Sequence, residues 1–290
     1  MANPSCHLPG GWSILDAGPA YSTLAGVLGG FLFLGIITLM TEGRNPDNNS
    51  GRRGAQARNQ RNGTSNPPSS RAIIRARTLM LFLPALLSLL VSSFLFAEVT
   101  GEQVCNRGYI EGVLAASLLA IGALGIFSGI AWMLEVYHES NEDLRRTSVT
   151  FTYISYFIVI ASLTVSGVDI ISDAFNNNPP GYALGLLIAY APLLLISVVI
   201  VRKWFVPKES HRSGSQLAAV YVPAIYVVIT LVLYAVLTSY NPSEWGSLND
   251  WKTYLALSVA LFFPAVTVII YARALPDERP YQDLHSGPAA

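Results

Sequence analysis

The sequence predicts an all-α membrane protein: a bundle of seven transmembrane helices with the N-terminus outside and the C-terminus cytoplasmic. Three observations predict it. Hydrophobic residues fill 52% of the 290 positions and charged residues only 12%, about half the charged share of an ordinary soluble domain. Seven windows of about 20 residues are almost free of charge, the length at which an α-helix crosses a hydrocarbon core roughly 30 Å thick. Sixteen of the eighteen Lys and Arg fall in the segments that this topology places on one side, and basic loops stay on the cytoplasmic side.

The chain opens on an arm that holds Cys6 and Trp12. The arm lacks the positive start of a secretory signal, and no small-residue cleavage pattern follows, so the first window, 21–40, is expected to be an uncleaved helix. Its Gly26 and Gly30 stand four apart and offer a groove for close helix approach. The next segment, 43–71, contains no aromatic or large aliphatic residue. It cannot bury enough apolar surface to order itself, which predicts a disordered cytoplasmic loop. Its Arg52, Arg53, Arg58 and Arg61 are candidates for contact with anionic lipid or an acidic cytosolic partner. A solvated linker that sets orientation is the leading reading of the same residues. Asn48-Asn49-Ser50 and Asn62-Gly63-Thr64 match a glycosylation acceptor, but the topology places them on the inner side, away from that chemistry.

The second window, 78–97, contains Pro84; Pro192, Pro223 and Pro264 stand in the fifth, sixth and seventh. Neighbouring helices and hydroxyl side chains re-satisfy the carbonyls that such prolines free in a membrane bundle, so they predict kinks and not breaks. A short outer loop follows, with Cys105 and Arg107 flanked by Glu98 and Glu111. Cys6 and Cys105 are the only cysteines and fall on the same outer side, where an oxidising compartment favours a disulfide between them. Glu98, Glu111 and, at the other face, Glu135 are expected to be interfacial charges that reach water at helix ends, with Arg107 pairing with Glu98 or Glu111.

The third window, 112–134, carries Gly125 and Gly129, and Gly112, Ala116 and Ala120 continue the small-residue spacing. That pattern makes it the expected central helix, with homo-oligomer formation as a second use of such grooves. The fourth window, 149–168, shows a polar stripe. Ser148, Thr152, Ser155, Ser162, Ser166, Asp169 and Asp173 are separated by 4, 3, 7, 4, 3 and 4 positions, which keeps them on one helical face. Lipid-facing surfaces avoid carboxylates, so this face is expected to point into the bundle or toward a hydrated cavity, with Asp169 at the outer boundary and Asp173 in the headgroup region. The remaining windows, 182–201, 217–238 and 253–272, are separated by short loops, and 274–290 is a cytoplasmic tail. Trp12, Trp245 and Trp251 fall near outer ends, and Trp132 and Trp204 near inner ends, as interfacial anchoring expects.

Several chemistries have no residues to carry them. A retinal-binding bundle needs a lysine within the seventh window, and only Lys252 at its outer edge is present. The third window ends in MLEVYHE and Phe263 precedes Pro264, so the acidic-Arg-aromatic and Asn-Pro-x-x-Tyr signatures of G-protein-coupled receptors are missing. His7, His138, His211 and His285 all lie in loops or tails, whereas an intramembrane zinc hydrolase needs convergent ligands. No nucleophile elbow, phosphate loop or Cys-x-x-Cys pair occurs. The expectation is therefore a single polytopic domain without cofactor, metal or nucleic-acid partner. Arginine outnumbers lysine 15 to 3, a bias that suggests a bacterial cytoplasmic (plasma) membrane.

The function that fits best is a non-enzymatic sensor, receptor-like or accessory module that binds a ligand or partner. Second is a transporter or channel, with Thr152, Ser155, Ser162, Ser166 and Asp169 as binding or pathway residues. Third is an intramembrane enzyme that joins Asp169 to another carboxylate.

Overall fold

The computed structural model describes residues 14–44, 70–102, 104–135, 142–174, 190, 209–241, 245 and 251–274. Within them the regular elements are six α-helices: α1 (Ile14–Arg44), α2 (Ser70–Gly101), α3 (Cys105–Glu135), α4 (Glu142–Ala174), α5 (Glu209–Thr238) and α6 (Trp251–Ala274). Each contains a stretch long and apolar enough to cross a membrane, which makes this a multi-pass helical membrane protein. The six correspond to the first four windows and the last two. Of the fifth window, 182–201, only Tyr190 is described, in a helix. The loop arginines Arg52, Arg53, Arg58 and Arg61, together with Cys6 and the tail beyond 274, lie outside the described residues.

The helices run beyond the windows that predict them. α3 begins at Cys105, seven positions before Gly112, and α4 continues through Asp169 and Asp173 to Ala174. Pro84, Pro223 and Pro264 all sit inside continuous helices. Near Pro264, the Tyr190 hydroxyl donates to the Leu261 carbonyl. Pro264 frees the Ala260 carbonyl, one residue earlier, so the Tyr190 bond adds a contact on the same turn and is not the replacement for the bond the proline removes.

α3 is the centre, in contact with all five other described helices. Glycine is what brings α2 so close. A Cβ at Gly125 would stand 2.6 Å from the Ala85 Cβ, and one at Gly129 would stand 2.1 Å from the Phe82 ring. Gly26 and Gly30 of α1 behave differently: a Cβ at Gly26 would meet only Ser93, at 3.6 Å, and one at Gly30 nothing within 4 Å.

Hydroxyls tie the same helices together. Ser22 on α1 and Ser93 on α2 each donate to the other's carbonyl at 2.9 Å. Ser92 of α2 donates to the Ala115 carbonyl of α3 at 2.8 Å. Ser128 of α3 shares a hydrogen bond with Tyr156 of α4 at 2.5 Å, and Ser117 pairs with Tyr226 of α5. Each such bond contributes on the order of 0.6 kcal/mol in a membrane, so together they select which helices pair more than they stabilise the bundle. Large apolar residues on α1, α2, α4 and α5, among them Phe31, Leu83, Phe151 and Val228, project outward, the surface a bilayer covers.

Candidate functional site

Two features of the bundle bring functional groups together, and both lie toward the end that carries the α2–α3 connection. The first is an ion-pair network. α2 ends at Gly101 and α3 begins at Cys105, so the turn between them leaves α3's first N–H groups without intrahelical partners. Glu102 fills one of these vacancies: its Oε1 accepts from the Val104 N–H at 3.0 Å. Its Oε2 lies 2.8 Å from Arg107 Nη2, while Arg107 Nε donates to Glu111 Oε1 at 2.9 Å. Arg107 is the third residue of α3, at the positive end of the helix dipole where a cation is disfavoured, and the two flanking carboxylates offset that cost.

Glu111 does not reach water as an interfacial charge; it is 1% exposed. Two features of the fold bury it. α3 starts earlier than the hydropathy window, which places Glu111 on the second turn of the helix. Trp245 also packs at the start of α3, where Asn106 Nδ2 donates to its carbonyl at 2.9 Å. Lys252, expected at an outer edge, is likewise buried, at 5% exposure. Its Nζ sits 4.5 Å from the Tyr240 ring centroid and 4.8 Å from that of Trp245, a cation over two aromatic faces. Arg107 does pair with Glu111, one of its two expected partners; Glu102 is the other partner the structure provides.

The second feature is a lateral cleft of about 280 Å³. α1 and α4 both pack on α3 or its neighbours but do not touch each other, and the space between them remains open. Ala116, Ala120 and Ala123 form its floor on α3. Their small side chains leave volume there, and Ala116 and Ala120 belong to the spacing that marks α3 as central. Tyr21, Leu24 and Leu28 form the wall on α1, and Phe96 stacks on Tyr21 with ring centroids 5.2 Å apart. α4 supplies the opposite wall, which includes Ile158, Ser162 and Ser166.

The α4 stripe therefore divides. Thr152 and Ser155 are buried and donate to the Ser148 and Phe151 carbonyls of their own helix, both at 2.9 Å. Ser162 and Ser166 line the cleft, and they too donate to carbonyls one turn back, at 2.9 and 3.1 Å. Asp169 continues α4 beyond Ser166, and its side chain lies outside the described part. The structure thus brings Ser162 and Ser166 together on one surface and leaves Thr152 and Ser155 in the packed lower half of the helix. Cys105 opens α3 next to the ion-pair network; its expected partner Cys6 lies outside the described residues.

Comparison of the chain with protein-family models, curated proteins and solved structures finds no match.

One signal for the network was present in the sequence: Arg107 and Glu111 stand four apart, the spacing of an intrahelical pair. Nothing in the sequence marks the cleft, because it depends on α1 and α4 being held apart.

Proposed function

We propose that the chain is a non-enzymatic membrane binding module, a sensor, receptor-like or accessory subunit whose ligand enters the cleft between α1 and α4. The observation that supports this reading most is the cleft itself, a preformed concavity that joins four helices and reaches Ser162 and Ser166. Preformed concave sites are where small ligands bind. The ion-pair network then acts as scaffold: it fixes the start of α3, whose alanines form the floor. A direct test places an environment-sensitive fluorophore at Ser162→Cys, in a chain with Cys6 and Cys105 both changed to Ser. Titration with an organic-solvent extract and with an aqueous extract of the host cells is expected to shift its emission in one of the two. A probe at Val228→Cys, on the outward surface of α5, should stay unmoved. Equal shifts at both positions, or none at either, would sink the binding reading.

The proposal includes the topology: seven spans, N-terminus outside, in the plasma membrane, with Cys6 bonded to Cys105. A membrane-impermeant maleimide applied to intact cells tests the orientation and the bond together. Both cysteines are expected to label only after reduction. Labelling without reduction disproves the disulfide, and labelling that needs permeabilisation disproves the orientation.

Transport is the second reading, and Asp169 on the last turns of α4 favours it, since ionisable residues at the membrane boundary commonly serve ion pathways. An Asp169→Asn change that leaves ion or proton flux in proteoliposomes untouched removes that reading.

A further inference from the structure

We infer that the cleft takes one hydrocarbon chain of a bilayer phospholipid, from the leaflet on the side of the α2–α3 connection, with the lipid's polar end toward Tyr21 and Ser166. This rests on the binding reading above and names its ligand class: an amphiphile with an extended apolar chain.

Shape carries the first part of the argument. The wall on α1 runs from Tyr21 to Leu28 and that on α4 from Ile158 to Ser166. At about 1.5 Å per helical residue the cleft is therefore roughly 10–12 Å long, parallel to the bundle axis. That is most of the roughly 15 Å of hydrocarbon in one leaflet of a 30 Å core, and it has the direction that lipid chains take. A volume of about 280 Å³ spread over that length makes an elongated groove that runs along the helices rather than a round pocket. A methylene chain fits such a groove along its whole length.

Wall chemistry carries the second part. Ser162 and Ser166 already spend their O–H groups on the Ile158 and Ser162 carbonyls. The α4 wall consequently has no free hydroxyl donor there for a sugar or an anion. Floor and walls are otherwise largely alkyl and aromatic. Leu24 and Ile158, which line the cleft, are 46% and 57% exposed, so its walls are open rather than enclosed. The cleft thus opens onto the same apolar surface as Val27 and Val165, which face outward on α1 and α4, so a chain can enter sideways from the bilayer without crossing water.

Native mass spectrometry of the full chain, released from nanodiscs of defined phosphatidylethanolamine and phosphatidylglycerol, tests this. One phospholipid is expected to stay on the wild-type protein. Ala123→Phe fills the floor, and Ser162→Phe narrows the mouth from an exposed position that does not endanger folding. Each is expected to lower occupancy by about tenfold or more, the fold-change that corresponds to about 1.4 kcal/mol. Val228→Phe, on the outward face of α5, should retain the lipid. A non-lipid adduct that the two cleft variants remove would overturn the phospholipid assignment and leave the binding reading standing. A retained lipid indifferent to both variants would overturn the inference, as would a dimer that they dissociate. No adduct of any kind, together with no emission shift at Ser162→Cys, would overturn both.

Discussion

Arg107→Ala is expected to be among the most damaging single changes in this protein, at about 3–5 kcal/mol, the usual cost of removing one partner from a buried ion pair. Glu111 is 1% exposed and takes its charged hydrogen bond from Arg107. Without the guanidinium its carboxylate remains in a low-dielectric setting with that bond lost. Arg107 itself is 19% exposed, which moves the expected loss toward the lower end of the range. Intrahelical propensity is not what holds the pair: the order Arg then Glu is the weaker one at this spacing, and the helix dipole opposes a cation here. The prediction is therefore specific about rescue. Arg107→Ala with Glu111→Leu removes the buried pair and leaves Glu102, which keeps its bond from the Val104 N–H; a buried pair replaced by apolar side chains is often neutral. Thermal unfolding of the four members of this double-mutant cycle in one detergent measures the coupling. The double variant should recover most of the melting temperature that Arg107→Ala loses. A single variant as stable as wild type, or a double variant worse than both singles, would show that the network does not carry the end of α3.

Much of the fold was open to reading because the bilayer is an unforgiving solvent. Every backbone polar group must be satisfied within the membrane, so a charge-free window such as 217–238 has few options besides a helix, and α5 covers it. Trp and charge positions add to this signal at the ends. What the sequence did not disclose is how the helices are placed against one another. The earlier start of α3 hides Glu111, and Trp245, far along the chain, meets the same end of that helix through Asn106, so a window-by-window reading sees only a carboxylate near a loop. The same limit applies to α4. Its stripe has correct helical spacing, yet Thr152 ends in a packed interface and Ser162 in an open cleft, since α4 rests on α3 below while nothing from α1 meets it above. Spacing identifies a face; only the neighbours decide what that face meets.

Small-residue pairs show the limit most sharply, and they give the second large prediction. Gly26/Gly30 and Gly125/Gly129 have the same four-residue spacing and read alike as grooves for close approach. In the structure only the second pair is crowded. A Cβ at Gly125 would meet the Ala85 Cβ at 2.6 Å and its Cα at 3.5 Å. These atoms belong to or adjoin the α2 backbone, so no rotamer change relieves the clash and α2 must move away from α3. Gly125→Val is accordingly expected to cost about 1–3 kcal/mol or more, the range for overpacking a close-packed core. It should also weaken the Ser92–Ala115 hydrogen bond between the same two helices. Gly30→Ala meets nothing within 4 Å and exchanges a poor helix former for a good one. It is expected to be neutral or to stabilise by up to about 1 kcal/mol. Melting temperatures of the two variants in one detergent, read beside Gly125→Ala, decide the matter. If Gly30→Ala harms stability as much as Gly125→Ala does, then α1 has a close partner on its Gly30 face in the membrane, and the contrast drawn here between the two pairs is wrong.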